Sequence, residues 1–174
     1  MTVVQRTCAL TGDPFFLLPF DPDRGERART LRDAIFHETE KMVLLGYHRF
    51  LCGFTPGVDL IFAETVLELR RKHRDITLES VLAYENEAAS WEENTRERYY
   101  RLLGYCDREH LLQTRFTTGC LARRNRYLVE HANMLLAVSD GLLGNPLQAI
   151  HCAAVLGKSI LRISPSTLLT QKIG

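Results

Sequence analysis

Phe54-Thr-Pro-Gly57-Val-Asp59-Leu-Ile-Phe-Ala-Glu64 is the stretch that decides how this chain folds. It follows the apolar run Phe50-Leu-Cys52 and opens a segment with helical periodicity, so it predicts a strand, a tight turn and the start of a helix. The first turn of a helix has backbone N–H groups without partners and carries partial positive charge. The stretch therefore also predicts a place where a phosphate or a carboxylate can bind.

The same order of strand, turn and helix recurs along the chain on both sides of this stretch. We expect strands at 3–10, 47–54, 76–83, 109–114, 134–139 and 159–163, and helices at 26–45, 58–73, 85–103, 119–132 and 146–156. Residues 15–25 are expected to be irregular and the tail 167–174 to fray. The alternation predicts one α/β domain over residues 1–174, with a mainly parallel sheet covered by helices on both faces.

The turns that follow the strands hold most of the candidate ligand-binding residues, because ligands of parallel sheets bind outside the carboxyl ends of the strands. These candidates are Gly12 and Asp13 after the first strand, Gly53, Gly57 and Asp59 after the second, Glu85 after the third, and Asp140, Gly141 and Gly144 after the fifth. Glycine lets a backbone amide approach a phosphate closely. The alternative is that the glycines only satisfy tight turns. Asp59 is expected to cap its helix.

Two further candidates, Arg124 and Asn125, lie on the predicted helix 119–132. The apolar stripe of this helix consists of Leu121, Leu128, Val129 and Ala132. Asn125 falls inside the stripe, where a buried amide must find a partner. That partner is either a ligand at the strand ends or a neighbouring loop.

Glu64 follows the glycine-rich turn by about two helical turns. From there its carboxylate could reach a ribose hydroxyl, or it could be an ordinary solvated side chain. Glu85 and Glu87 follow the third strand at a spacing that does not place them on one helix face. Helix N-terminal charge is the expected role for at least one of them.

The composition of the 174 residues narrows the class of protein. The net charge is +1, which makes nucleic acid an unlikely partner on charge alone. No apolar run approaches the length of a membrane helix, and no signal peptide is recognised. The five cysteines are scattered, which argues against zinc and disulfides and for a cytoplasmic protein. We predict no metal and no cofactor.

Five motifs in a fixed order resemble the YpsA-like branch of the SLOG superfamily, which is related to the LOG and DprA folds. The motifs are Cys8-Ala-Leu-Thr-Gly12, Gly53-x-x-x-Gly57-Val-Asp59 with Ala63-Glu64, Tyr84-Glu85-x-Glu87-Ala88 with Trp91, Cys120-x-x-Arg-Arg124-Asn125-Arg-Tyr-Leu-Val, and Ala137-Val-x-Asp140-Gly141. The resemblance covers nearly the whole chain. It implies a Rossmann-like fold and a site for a nucleotide or nucleotide-derived ligand in a bacterial protein.

Two of the motifs depart from the pattern of that branch. The branch has Thr-Gly-His-Arg-Pro in the first turn, where this chain has Thr11-Gly-Asp-Pro14. It has Asp-Gly-x-x-Gly-Gly-Thr near the fifth strand, where this chain has Asp140-Gly-Leu-Leu-Gly-Asn-Pro146. An acidic residue replaces a cationic pair, and Pro146 removes an N–H donor. Phosphate binding is therefore expected to be weaker here than in relatives with the full motifs.

Three functions follow from the resemblance, in order of preference. The first is a module that binds or senses a nucleotide-like small molecule. The second is a LOG-like hydrolase that cleaves the N-glycosidic bond of nucleoside monophosphates, with Glu64 as its catalytic carboxylate. The third is a DprA-like binder of single-stranded nucleic acid, which the near-zero net charge disfavours. The sequence leaves open whether the chain acts as an enzyme and whether it forms a homodimer.

Overall fold

The computed structural model describes residues 4–173, in which strands and helices alternate. The strands are β1 (Arg6–Gly12), β2 (Tyr47–Cys52), β3 (Thr77–Leu82), β4 (Arg108–Leu111), β5 (Met134–Val138), β6 (Ser159–Ile163) and β7 (Thr170–Ile173). The helices are α1 (Glu26–Leu44), α2 (Val58–Arg70), α3 (Glu93–Gly104), α4 (Cys120–Glu130) and α5 (Gly144–Val155). A short 3-10 helix, Phe15–Leu17, follows β1.

The strands form one sheet in the order β4-β3-β2-β1-β5-β6-β7. All neighbouring strands run parallel except β6 and β7, which are antiparallel. From β1 the chain builds outward to one side through β2, and it later returns to the other side of β1 as β5. The gap between β1 and β5 is therefore the topological switch point, where sheets of this kind bind ligands. The predicted α/β fold with a mainly parallel sheet is confirmed.

Two hydrophobic clusters, one on each face of the sheet, give the protein its three layers. Cys8 and Leu10 of β1 pack in the cluster that includes residues of α1, α2 and α3. Ala9, between them, packs in the cluster that includes residues of α4 and α5. Successive side chains of a strand point to opposite faces, so strands covered on both sides are apolar throughout. The segment Met134–Val138, buried at every position, is an example.

Several element boundaries differ from those expected, among them β4, which spans Arg108–Leu111 and not 109–114. Helix α3 begins at Glu93, and residues 85–91 form turns, so the helix predicted from residue 85 was wrong over its first two turns. Strand β1 reaches Gly12 because it pairs with β5 up to Gly12 and Val138. The predicted strand at 3–10 starts at Val3, which lies outside the described residues.

The tail was expected to fray, but its residues 170–173 form strand β7. Ile163 and Thr170 face each other at the start of this antiparallel pair. The β7 side chains are mostly exposed, so the strand carries no apolar periodicity. It is held by its ladder with β6.

None of the helices found within residues 4–173 is both long and apolar enough to span a lipid bilayer.

Candidate functional site

A cleft of about 310 Å³ opens at the carboxyl ends of β1 and β5, and we call it the switch-point cleft. Five of the sequence-predicted residues line it: Gly12, Asp59, Arg124, Asn125 and Gly144. The other predicted residues at this edge of the sheet, Asp13, Gly53, Gly57, Asp140 and Gly141, lie in the loops around it. The structure thus brings the predicted turns together at one edge of the sheet.

The glycines in these turns allow separate segments of the chain to pack closely against one another. A Cβ atom at Gly12 would lie 2.4 Å from Cβ of Val58, which is far inside contact distance. Gly57 has a φ of 119°, and a Cβ there would lie 2.6 Å from the backbone nitrogen of Phe15. A Cβ at Gly53 would lie 2.8 Å from Nε of Arg124. Close packing between β1, α2 and α4 therefore accounts for all three glycines.

The N-terminus of α2 is covered by the loop that follows β1. The N–H of Val58 donates to the carbonyl oxygen of Asp13 at 3.4 Å, and the N–H of Phe15 donates to the carbonyl oxygen of Pro56 at 3.1 Å. Pro14 and Gly57 form an isolated antiparallel bridge. The first turn of α2 was expected to be a place where a phosphate can bind, but backbone of the same chain occupies it.

Asp59 lies in the first turn of α2 and not at its N-cap, which is Gly57. This differs from the expected capping role. Its Oδ2 atom accepts a hydrogen bond from the N–H of Thr55 at 3.1 Å, so the side chain closes the turn before the helix. Burial raises the pKa of Asp59 to about 6, against a smaller lowering effect of the nearby Arg124 charge. The cleft therefore contains a carboxyl group whose pKa lies well above that of an ordinary aspartate.

Asp13 and Asp140 are held by neighbouring loops at the same edge. The hydroxyl of Ser139 donates to Oδ1 of Asp13 at 2.6 Å, and burial raises the pKa of Asp13. The hydroxyls of Ser164 and Ser166 donate to Asp140, each at 2.5 Å. Burial raises the pKa of Asp140, but these two hydrogen bonds outweigh it, so the pKa lies below the ordinary value. Both carboxylates thus have partners inside the protein.

Arg124 and Glu87 form a buried ion pair behind the cleft. Nη1 of Arg124 donates to Oε1 of Glu87 at 3.1 Å, and the side chains are 4% and 9% exposed. Nε of Arg124 and Oε2 of Glu87 are buried and have no hydrogen-bond partner among the described residues. Burial raises the pKa of Glu87, against the lowering effect of Arg124. Two polar atoms are therefore left for a ligand or a water molecule to satisfy.

Glu87, and not Glu85, is the inward-facing carboxylate after β3. Glu85 is exposed, and its N–H donates to the carbonyl oxygen of Thr114 at 3.3 Å. The expected role of Glu85 at a helix start fails because the segment after β3 is a series of turns. The signal for Glu87 in the sequence is that it is a second carboxylate, two residues beyond Glu85.

Asn125 donates from Nδ2 to the carbonyl oxygen of Asn145 at 3.1 Å, and it is 3% exposed. Its partner is thus the first turn of α5, not the neighbouring loop considered as the structural alternative to a ligand. The bond fixes the start of α5 against α4. Because Gly144 and Asn145 also line the switch-point cleft, Asn125 positions one of its walls.

A second and larger cavity of about 860 Å³ adjoins the cleft, and we call it the aromatic cavity. It lies between the loop 14–23, the start of α2, the turns after β3 and the start of α3. Its aromatic side chains are Phe15, Phe16, Phe20, Tyr84 and Trp91. The sequence interpretation missed this cavity, although the run of phenylalanines in an irregular stretch was a signal for it.

Glu64 lines neither of these two cavities as far as residues 4–173 define them. Its carboxylate accepts hydrogen bonds from Arg98 at 2.8 and 2.9 Å, and from Arg32 at 3.4 Å. Partial burial raises the pKa of Glu64, but the two guanidinium groups outweigh it, so the pKa lies below the ordinary value. The structure places the predicted catalytic carboxylate in an ion-pair network on one side of α2.

The sequence is similar to bacterial proteins named only as UPF0398 proteins. One from Staphylococcus aureus strain JH9 is 21% identical over 137 residues, which is 78% of this chain and 73% of that protein. The UPF0398 protein SAUSA300_1338 of strain USA300 matches with the same identity and coverage.

The fold is similar to solved structures of DNA processing protein A. The Streptococcus pneumoniae protein matches with a TM-score of 0.59 and 12% identity over 91% of this chain and 50% of its own length. The Helicobacter pylori protein matches with a TM-score of 0.61 and 12% identity over 90% of this chain and 64% of its own length. This chain therefore spans only about half to two thirds of these proteins.

The comparison corrects the expectation that nucleic acid is an unlikely partner. The Helicobacter pylori structure is described as showing a single-stranded DNA binding mode, and part of it has a fold similar to that of this chain. A net charge near zero describes the whole surface and says nothing of a local strip of cations and aromatic rings. Net charge was therefore the wrong ground for that expectation.

The family assignment rests on a match that covers most of the chain. The predicted order of motifs agrees with it, since all five motifs lie largely or wholly within the matched range. Residues 9–148 match the family model YpsA, described as the YspA SLOG family, and the chain belongs to that family.

Proposed function

We propose that this protein is a binding or sensing module for a nucleotide-derived small ligand, which enters the switch-point cleft. The observation that carries the proposal is that a buried guanidinium, a carboxyl group and the first turn of α5 line one cleft at the β1/β5 switch point. Ligand sites in proteins combine a concave surface with a few convergent polar groups in this manner. That the protein is cytoplasmic and consists of a single domain stays a prediction, separate from this proposal.

The first turn of α5 and Arg124 supply the groups for a phosphate. The N–H groups of Gly144 and Asn145 precede the first hydrogen bond inside the helix, and such groups bind anions. Arg124 adds a buried cation whose Nε has no hydrogen-bond partner within residues 4–173. Asp59, in the same lining, supplies an acceptor for a ribose hydroxyl.

The carboxylates around Arg124 limit how strongly a phosphate binds. Glu87 already pairs with this guanidinium, and Asp13 and Asp59 lie at the same edge of the sheet. Pro146 contributes no N–H to the first turn of α5. We therefore expect affinities for nucleoside phosphates below those of relatives that carry Thr-Gly-His-Arg-Pro in the first turn, as measured by calorimetry under the same conditions.

Substitutions at exposed leucines of the α5 segment test the proposal without disturbing the core. Leu143 is 62% exposed and lines the cleft, whereas Leu156 is 43% exposed at the other end of α5. A carboxylate at the cleft repels a bound phosphate, so Leu143→Glu should weaken binding of adenosine monophosphate or ADP-ribose several-fold. Leu156→Glu should not. Thermal shift and calorimetry measure both, since a ligand of the native state raises the melting temperature.

The hydrolase alternative is less well supported by this geometry. A carboxylate that stabilises a developing sugar cation must lie beside the ribose, whereas Glu64 is held by Arg98 and Arg32. We expect no release of base when the protein is incubated with nucleoside monophosphates. Turnover by the wild type that disappears in Glu64→Gln would reverse the preference.

Single-stranded nucleic acid is the second candidate function, supported by the DprA-like fold and by exposed aromatic rings. Phe15 and Phe16 are 57% and 70% exposed at the rim of the aromatic cavity, and stacking on such rings is how single strands are held. Fluorescence anisotropy with a labelled oligothymidine at two salt concentrations tests this function. Salt-sensitive binding that falls in Phe16→Ala would support it.

A further inference from the structure

The aromatic cavity lies at the same edge of the sheet as the switch-point cleft, and the proposed function does not assign it a role. We propose that it receives the base of the nucleotide ligand, with an N–H group of the base donating to Oε2 of Glu87 while the sugar phosphate lies in the switch-point cleft. The inference rests on the proposed function, which concerns only the cleft. It assigns the ligand class more narrowly, as a nucleotide whose base carries an amino group.

The walls of the cavity suit a flat ring. Phe15 and Phe16 contact each other edge to face, with ring centroids 5.6 Å apart, and both are largely exposed. Trp91 lies on the other side against Tyr99, with centroids 5.1 Å apart. Exposed aromatic rings at a concave surface lose water contact when a base stacks on them, which favours binding. The volume of about 860 Å³ is ample for a purine.

Glu87 gives the cavity lining a buried polar atom, Oε2, that has no hydrogen-bond partner among the described residues. Its side chain is more than nine-tenths buried and lines the cavity, and Oε2 makes no hydrogen bond within the described residues. A carboxylate accepts hydrogen bonds only, so its partner must be a donor. The amino group of adenine is such a donor on a flat ring. A buried carboxylate oxygen left without one is costly.

The two cavities adjoin each other, so a ligand that extends across their common lining would occupy both. Pro14, Phe16 and Thr55 line both of them. Behind this shared wall, Arg124 faces the cleft and Glu87 faces the aromatic cavity, joined by the 3.1 Å ion pair. A phosphate near Arg124 complements the positive charge of the guanidinium, and an N–H donor near Glu87 complements the negative charge of the carboxylate.

Calorimetry with four probes, one of them adenosine, which lacks the phosphate, separates the two parts of the site. Adenosine monophosphate contains base, sugar and phosphate. Ribose 5-phosphate lacks the base, and purine riboside monophosphate keeps the ring but lacks the amino group. We expect adenosine monophosphate to bind at least about tenfold more tightly than ribose 5-phosphate or purine riboside monophosphate, which is the effect of one hydrogen bond to a charged group together with stacking.

Two substitutions test the cavity, each with a matched control. Glu87→Gln should lower the affinity for adenosine monophosphate about tenfold. Glu85→Gln changes an exposed carboxylate outside both cavities and should leave this affinity unchanged. Phe15→Ala removes an exposed ring of the cavity that does not touch the ion pair. Phe15→Ala should lower the affinity for adenosine monophosphate several-fold. Tyr105→Ala removes an exposed ring elsewhere and should leave the affinity unchanged.

The outcomes distinguish this inference from the proposed function. Selective loss of adenosine monophosphate binding, with ribose 5-phosphate bound as tightly as by the wild type or more tightly, supports it. Equal loss of both ligands in Glu87→Gln and Phe15→Ala, or no loss in either variant, overturns it. If adenosine binds as tightly as its monophosphate and depends on Glu87 and Phe15, the base lies in the aromatic cavity as inferred, but no phosphate is held in the cleft and the proposed function fails. If neither adenosine nor its monophosphate binds, both are wrong.

Discussion

Gly53, which directly follows β2, has no Cβ atom, and this leaves room for the side chain of Arg124 that pairs with Glu87. A Cβ at this position would lie 2.8 Å from Nε and 3.1 Å from Cδ of Arg124. The guanidinium cannot move aside easily, because it is buried and bound to Glu87. We therefore expect Gly53→Ala to lower the free energy of unfolding by about 1–3 kcal/mol, as overpacking of a core does.

The measurement is chemical denaturation of Gly53→Ala beside Gly104→Ala. A Cβ at Gly104, in the last turn of α3, would meet no atom within 4 Å. Alanine is the better helix former, so the control should be neutral or slightly more stable than the wild type. Equal stability of the two variants would show that Arg124 adapts freely.

Asp59 makes the stability of the protein depend on pH in a direction unusual for a carboxylate. Its pKa is raised to about 6 in the native state and lies near 4 when the chain is unfolded. Between these values the unfolded chain releases its proton first, so the contribution of this group to stability falls as pH rises from about 4 to about 6. Above pH 6 the loss is complete and amounts to about 3 kcal/mol.

The variant Asp59→Asn lacks this titration. The difference in unfolding free energy, variant minus wild type, should therefore grow by about 3 kcal/mol between pH 4 and pH 7. Denaturation at several pH values measures it. A difference that stays constant over this range would mean that the native pKa of Asp59 is not raised.

Glu85 and Glu87 mark the limit of sequence reasoning at this scale. Both follow β3, and the residue types alone give no reason to prefer the second. The turns at 85–91 decide the matter, because they expose Glu85 and bury Glu87 against Arg124. The inward orientation of Asn125 was easier to predict, because the apolar stripe of α4 includes its position.

At the scale of elements, α2 is tied to its neighbours through Glu64. This residue joins Arg98 of α3 and Arg32 of α1, and both arginines also bind Asp23 of the loop after β1. The carboxylate is charged in the native state because its pKa is lowered. It therefore stabilises the protein above the ordinary pKa of glutamate, and the effect disappears as pH falls through the lowered value.

We expect Glu64→Gln to lower the unfolding free energy by about 1 kcal/mol at pH 7 and by less near pH 3. Ligand binding in the cleft should be unchanged, because Glu64 does not line it. Glu68→Gln, one turn later on the same helix at an exposed position, is the control and should be neutral. A loss of binding in Glu64→Gln with stability intact would restore Glu64 to the site.

The elements that the sequence predicted well are those with a strong apolar pattern. Strand 134–138 and helix 58–70 lie within a residue or a few of the expected bounds, because both bury most of their side chains. The start of α3 was missed because Trp91 and the charged residues before it fit a helix as well as a turn. Strand β7 was missed because a ladder of backbone hydrogen bonds leaves no mark on the residue types of an exposed edge.

At the scale of the whole molecule, the sheet is most protected at its centre and least at its two edges. Positions 8 to 10 of β1 and 135 to 138 of β5 are at most 1% exposed, whereas β4 and β7 are mostly exposed. Amide hydrogens of β1 and β5 should therefore exchange slowest, at rates set by global unfolding, and those of β4 and β7 fastest. Mass-spectrometric exchange measures this order, and rapid exchange in β1 would contradict the topology.

The loop between β1 and α1 is fastened at both ends. Pro14 bridges to Gly57 at one end, and Asp23 pairs with Arg32 and Arg98 at the other. The wall that this loop gives to the aromatic cavity is thus in place before any ligand arrives, and little conformational entropy is lost on binding. Encounter with a ligand is then a single step, and its observed rate rises in proportion to ligand concentration without reaching a plateau.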